Sequence, residues 1–214
     1  MSIQHLIIQF NGSRTVRRKL SKTILFPCAF LLVFLSLQGC GGVVIGAVGA
    51  GVGTGAAVAH DRRTAGTFVD DQIIELKAIN HLRTDKDLWE QSHISPTSFN
   101  NIVLLSGEIP NEFLRERAAG LIRQIPEIRE IHNELAVAAP SSTLARTSDS
   151  VVTGKVKAKL ITDERIDAMR IKVVTERGIV YLMGLVTRQE ADLVTEIVRR
   201  VGGVQRVIRL FEYI

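Results

Sequence analysis

The chain carries one sequence pattern twice, at an offset of 76 to 78 residues. An aspartate, two aliphatic residues, a lysine, a leucine and a Thr-Asp pair keep the same spacing in residues 71–85 and 149–163. Six residues with glycine at the fourth position follow each time, at 104–109 and 181–186. Self-similarity at a fixed period indicates that one structural unit is made twice.

The two copies define the domain organisation. Both end with aliphatic residues three apart, at 125–131 and 201–207. We therefore assign the first repeat to residues 68–138 and the second repeat to residues 149–214. Residues 139–148 between them are rich in Pro, Ser and Ala and are predicted to be a linker.

Each repeat predicts the element order α-β-β-α-β. The first helix has an apolar residue at every fourth position, namely Ile74, Ala78 and Leu82 in one copy and Val152, Val156 and Leu160 in the other. We expect Asp71 and Asp149 to cap these helices. Hairpins follow, with turns at Asn100-Asn101 and at Glu176-Arg177-Gly178. A second amphipathic helix and a last strand complete each copy.

This order predicts an α+β fold of two tandem αββαβ units. Each unit is expected to be a three-stranded mixed sheet with two helices on one face, because the β-α-β step crosses over right-handed between parallel strands. Three glycines are assigned structural roles. Gly107 and Gly184 lie in strands where we expect a helix to approach the sheet closely. Gly203 is predicted to end a helix of the second repeat.

The first forty residues have the pattern of a secretory leader. Five basic and no acidic residues precede an apolar run from Ile24 to Leu37, which is typical of a signal peptide. At 14 residues the run is too short for a comfortable membrane span, so we predict a signal peptide over 1–39. Leu37-Gln38-Gly39-Cys40 resembles the lipobox of bacterial lipoproteins, which implies that Cys40 is lipidated and becomes the N-terminus.

Residues 40–67 are predicted to form a Gly/Ala-rich tether. Within them, 41–59 is uncharged and repeats small residues four apart, a pattern that also fits a glycine-zipper segment inside a membrane. Seven glycines among these nineteen positions make a poor helix. This favours a flexible tether at the membrane surface, and the glycine zipper stays an alternative.

The formal charge of +5 does not indicate a nucleic-acid-binding protein. All of the excess lies in residues 1–39, and from Cys40 onward the chain has 22 basic and 22 acidic residues. A neutral mature chain is a poor general polyanion binder. The two repeats nevertheless differ, since residues 68–139 carry a net −5 and residues 140–214 a net +4.

The repeat resembles the BON domain, through the glycine near the end of its middle strand and the Val-x-Gly-Val-x-x-Val-like sequence at 201–207. Two copies behind a lipobox are similar to the dual BON-domain outer-membrane lipoproteins of Gram-negative bacteria. The resemblance implies lipid anchorage in the outer membrane facing the periplasm, binding to phospholipid surfaces and a role in outer-membrane integrity.

No constellation of catalytic residues is visible in the sequence. The histidines of the mature chain show no metal-ligand spacing with cysteine or with each other. Neither a nucleophile elbow nor a phosphate-binding loop is present. We therefore expect no enzymatic activity, no metal site and no cofactor.

The first helix of the second repeat is the candidate binding element. Val151, Lys155 and Lys159 are predicted to form one stripe beside its core face, with Arg146 just upstream, and no acidic residue lies between Val151 and Thr162. Such a stripe suits an anionic phospholipid surface, although an ordinary solvated face has the same pattern. The alternative function is a protein-interaction scaffold, in which the acidic first repeat contacts outer-membrane assembly proteins. The oligomeric state is left open.

Overall fold

A computed structural model of the chain describes residues 61–214. Cys40, the predicted signal peptide and most of the predicted tether lie outside the described residues. The first repeat contains α1 (Ala65–Thr84), α2 (Lys86–Gln91), β1 (His93–Phe99), β2 (Ile102–Ile109), α3 (Glu112–Ile122), β3 (Glu130–Asn133) and β4 (Ala136–Val137). The second repeat contains α4 (Thr143–Ile161), a 3₁₀ turn (Ala168–Arg170), β5 (Lys172–Glu176), β6 (Ile179–Val186), α5 (Arg188–Val198) and β7 (Arg206–Tyr213).

Both repeats have the predicted mixed sheet, and the α+β fold is confirmed. β2 is antiparallel to β1 and parallel to β3 and β4. β6 is antiparallel to β5 and parallel to β7. The last strand of the first repeat is interrupted between Asn133 and Ala136, so that sheet is counted as four strands. Both hairpin turns occur where predicted, with Asn100, Asn101 and Arg177 at positive φ.

Each sheet is covered by helices on one face. In the first repeat α1 and α3 pack on the sheet through a fully buried cluster that includes Ile74, Leu82 and Ile122. In the second repeat the corresponding cluster includes Val156 and Val194. Burial of these aliphatic side chains provides each repeat with a separate hydrophobic core.

The other faces of the two sheets pack against each other. Phe99, Ile102 and Leu104 of the first repeat form one buried cluster with Tyr181 and Met183 of the second. Residues 61–214 therefore form four layers, with helices outside and two sheets inside. This contact was not predicted from the sequence, although burial on both faces of β2 matches the apolar run 102–105 at its start.

The prediction that Asp71 and Asp149 cap helices is wrong. α1 begins at Ala65, with Thr64 as its N-cap, and α4 begins at Thr143, with Ser142 as its N-cap. Both helices therefore extend into the segments predicted to be tether and linker. Each aspartate lies inside its helix and is buried, since it faces the hairpin.

The two buried aspartates hold the hairpin turns. Asp71 accepts hydrogen bonds from the backbone N–H groups of Asn100 (2.8 Å) and Asn101 (2.9 Å). In the same way Asp149 accepts from the N–H groups of Arg177 and Gly178, both at 2.8 Å. A turn with positive φ leaves its N–H groups pointing inward, so a carboxylate on the adjacent helix satisfies them.

The expectation that a helix approaches Gly107 is also wrong, since a Cβ on this residue would lie 1.9 Å from the carbonyl oxygen of His93 in β1. At Gly184 a Cβ would lie 2.8 Å from the carbonyl oxygen of Arg170, the last residue of the 3₁₀ turn. At Gly203, which has φ +103°, a Cβ would lie 2.7 Å from Cγ2 of Val152 on α4.

Residues just before α1 connect the two repeats. The Arg62 guanidinium donates to both carboxylate oxygens of Glu190 at 2.8 and 2.9 Å, and to the carbonyl of Leu185 at 3.0 Å. Arg62 lies within the predicted tether. Its contacts show that this residue is held against the second repeat.

We expect Arg62→Met to lower stability by about 1 kcal/mol at pH 7, and by less at pH 3, because the pair is partly exposed. Hydrogen bonds from Arg62 lower the pKa of Glu190 to about 2. The lowered pKa stabilises the fold above the unfolded-state pKa of Glu190, and this contribution is lost as pH falls toward 2. Urea unfolding of the unchanged protein and of Arg62→Met at pH 7 and pH 3 measures this difference in stability. Arg200→Met, at an exposed pair with Glu196, is the control, and an equal effect at both pH values contradicts the prediction.

Candidate functional site

The surface of α4 beside its core face presents the predicted stripe. Val152, Val156 and Leu160 are buried against the sheet and α5, whereas Lys155 and Lys159 are exposed and Val151 is 52% exposed. Successive residues of a helix are rotated by about 100°, so residues three to four apart share a side. Val151, Lys155 and Lys159 accordingly line one flank of α4.

Leu144 extends this flank by two turns. It is 80% exposed and precedes Val151 by seven residues, which places the two side chains on nearly the same line along the helix. Leu144 was not identified from the sequence, because the predicted helix begins at Asp149 and the observed helix begins at Thr143. We call Leu144, Val151, Lys155 and Lys159 the lysine flank.

Arg146 does not belong to the lysine flank. It lies in α4 nine residues before Lys155, a rotation of about 180°, so the two side chains are on opposite sides of the helix. Lys157 is on the side of Arg146, near Met169 and the start of β5. The grouping of Arg146 with the stripe was therefore wrong, since it assumed that Arg146 precedes the helix.

Within residues 61–214, neither Lys155 nor Lys159 forms an ion pair, so both charges can act on an anionic surface. Other basic side chains do form ion pairs, since Lys77 pairs with Glu127 and Arg117 with Asp85. Two exposed aliphatic residues at the start of the flank can enter the apolar edge of a headgroup layer while the ammonium groups contact its anions. In the described part of the chain no helix has the length and apolarity required to cross a bilayer.

The sequence matches the BON domain family model twice, over residues 70–139 and 148–214. It is 36% identical over 178 residues to the outer membrane lipoprotein DolP of Haemophilus influenzae, covering 83% of this chain and 90% of that protein. It is 34% identical to a 21 kDa hemolysin of Actinobacillus pleuropneumoniae, covering 72% of this chain and 79% of that one. The osmotically-inducible protein Y of Escherichia coli is 28% identical, with coverages of 89% and 94%.

Proposed function

Because this chain belongs to the BON domain family, with one domain in each repeat, we propose that it binds anionic phospholipid surfaces through the second domain. In this proposal it is a non-enzymatic, lipid-anchored envelope protein that faces the periplasm and supports outer-membrane integrity. The observation that carries the proposal is the lysine flank, where two lysines that form no ion pair within residues 61–214 follow two exposed aliphatic side chains on one helix face.

Anchorage would combine two contacts. Acyl chains on Cys40 supply the first, in line with the lipobox-like sequence that ends at this residue. The lysine flank supplies the second, since a basic residue near an anionic surface contributes about 1 kcal/mol. Stable attachment generally requires two such signals. Two lysines then account for about 2 kcal/mol, or roughly a thirtyfold change in affinity.

The test is binding of the 60–214 fragment to vesicles with and without phosphatidylglycerol. We expect Lys155→Glu with Lys159→Glu to weaken binding to the anionic vesicles at least about tenfold, because attraction is replaced by repulsion. Binding should also fall with added salt, since salt screens the contact. Flotation across lipid charge and salt measures both effects.

The opposite flank offers a matched control. Arg146→Glu with Lys157→Glu changes the net charge of the same helix by the same amount, but on the side that faces β5. We expect this variant to bind within about threefold of the unchanged fragment. Equal losses in both double variants would show that net charge, and not the lysine flank, determines binding, and would overturn the proposal.

A further inference from the structure

A polar cluster lies between the two sheets. His93 and Glu108 are paired residues of β1 and β2 at the open end of that hairpin. They lie on the face that also carries Phe99 and Leu104, because side chains alternate along a strand. Glu176, the last residue of β5, joins them from the second repeat.

The three side chains have the spacing of a cation site. One carboxylate oxygen of Glu108, one of Glu176 and a ring nitrogen of His93 all lie within 4.8 Å of one another. Ligand atoms about 2.1 Å from a tetrahedral zinc ion are about 3.4 Å apart. Small side-chain rotations therefore suffice to bring these three donors to bonding distance around one ion.

The carboxylates of Glu108 and Glu176 are buried and only partly hydrogen-bonded within the described residues. Glu108 is fully buried and Glu176 is 9% exposed, and within the described residues Oε1 of each has no hydrogen-bond partner. The other oxygen of Glu108 accepts only a long bond of 3.3 Å, from the backbone N–H of Ser141. Buried carboxylates are normally paired, hydrogen-bonded or bound to a metal.

Two carboxylates share this buried space. One oxygen of Glu108 and one of Glu176 lie within 4.8 Å of each other, so two ionised carboxylates would repel each other in a site of low dielectric. A divalent ion between them would remove this repulsion.

We propose that His93, Glu108 and Glu176 bind one divalent transition-metal ion of the zinc class, which links the two repeats. One imidazole and two carboxylates are a donor set that suits zinc, whereas calcium takes six to eight oxygen ligands. His93 is partly exposed whereas the two carboxylates are buried, so the cluster is in contact with solvent through this side chain. Two of the ligands come from the first repeat and one from the second. The ion therefore links the two sheets at the position of this cluster.

The test is zinc binding by the full-length protein in non-ionic detergent, followed by titration calorimetry and by the melting temperature. We expect one zinc ion per chain, and a rise in Tm of about 5–10 °C at a hundredfold excess over Kd. Glu108→Gln and Glu176→Gln should each weaken zinc binding more than tenfold, since each removes a charged ligand. Magnesium should give no comparable shift.

A second His–Glu pair supplies the control. His132 and Glu130 lie 3.6 Å apart at the surface of the first repeat, and Glu130→Gln should leave zinc binding unchanged. If Glu176→Gln binds zinc as tightly as the unchanged protein, the site is elsewhere and the proposal fails. It also fails if no zinc binds and both glutamine variants are simply more stable, because the carboxylates then share a proton instead of a metal.

Discussion

Asp71→Ala is expected to lower the free energy of unfolding by about 3–5 kcal/mol, the range for breaking a buried charge network. The carboxylate accepts from Ser98 Oγ at 2.6 Å and from two turn N–H groups, and it pairs with Arg63 at 2.5 Å. Alanine leaves all of these donors without Asp71 in a site that water barely reaches. Arg63 still pairs with Asp61 in the variant. Most of the lost free energy therefore comes from the turn N–H groups that no longer bond to Asp71. Urea unfolding at pH 7 measures the difference.

Asp70 is a matched control for this change. It precedes Asp71 in α1 but is exposed, so Asp70→Ala should alter stability by less than about 0.5 kcal/mol. Comparable losses in the two variants would mean that removing a negative charge from α1, and not the bond to the hairpin turn, explains the effect. Asp149→Ala should lower the free energy of unfolding by less than Asp71→Ala, because within residues 61–214 Asp149 accepts hydrogen bonds only from the two turn N–H groups.

Much of the fold could be predicted because the repeat shows each pattern twice. The hairpin turns predicted at Asn100-Asn101 and at Glu176-Arg177-Gly178 lie where the structure has them. The resemblance to dual BON-domain outer-membrane lipoproteins, and the outer-membrane localisation that it implies, are confirmed by the family match and the relatives. The lipidation of Cys40 stays a prediction, since this residue lies outside the described part of the chain.

The errors arose where tertiary contacts override a local pattern. An aspartate before an apolar run predicts an N-cap, yet Asp71 and Asp149 accept hydrogen bonds from turns that lie 28 to 30 residues away in sequence. Starting α4 at Asp149 then removed Leu144 from the candidate surface and left the direction of Arg146 undefined. Helical phase can be worked out only after the first residue of the helix is known.

The contact between the two sheets had a weaker sequence signal. Tyr181 and Met183 are apolar on the face of β6 that α4 and α5 do not cover, and a strand that is apolar on both faces indicates burial on both. The His93–Glu108–Glu176 cluster had no signal in the sequence. Its members come from three strands of two domains, so no spacing along the chain identifies them.

We expect Gly107→Ala to lower the free energy of unfolding by about 3 kcal/mol or more. Gly107 has φ +120°, which side chains of L-residues rarely adopt, and the added Cβ would overlap the His93 carbonyl oxygen at 1.9 Å. β1 would have to separate from β2 at the pair Ile94–Gly107, next to His93 and Glu108.

Two other glycines make this prediction testable. Within residues 61–214, a Cβ added to Gly120 in α3 or to Gly154 in α4 would meet no atom within 4 Å apart from its chain neighbours and the backbone of its own helix. Alanine at either position should therefore raise stability by up to about 1 kcal/mol, through its higher helix propensity. Urea unfolding of the three alanine variants, with circular dichroism to follow helix content, gives the comparison. A Gly107→Ala protein as stable as the unchanged chain would contradict the prediction. It would show that β1 and β2 can separate here without loss of stability, and that the fold does not require a positive φ at residue 107.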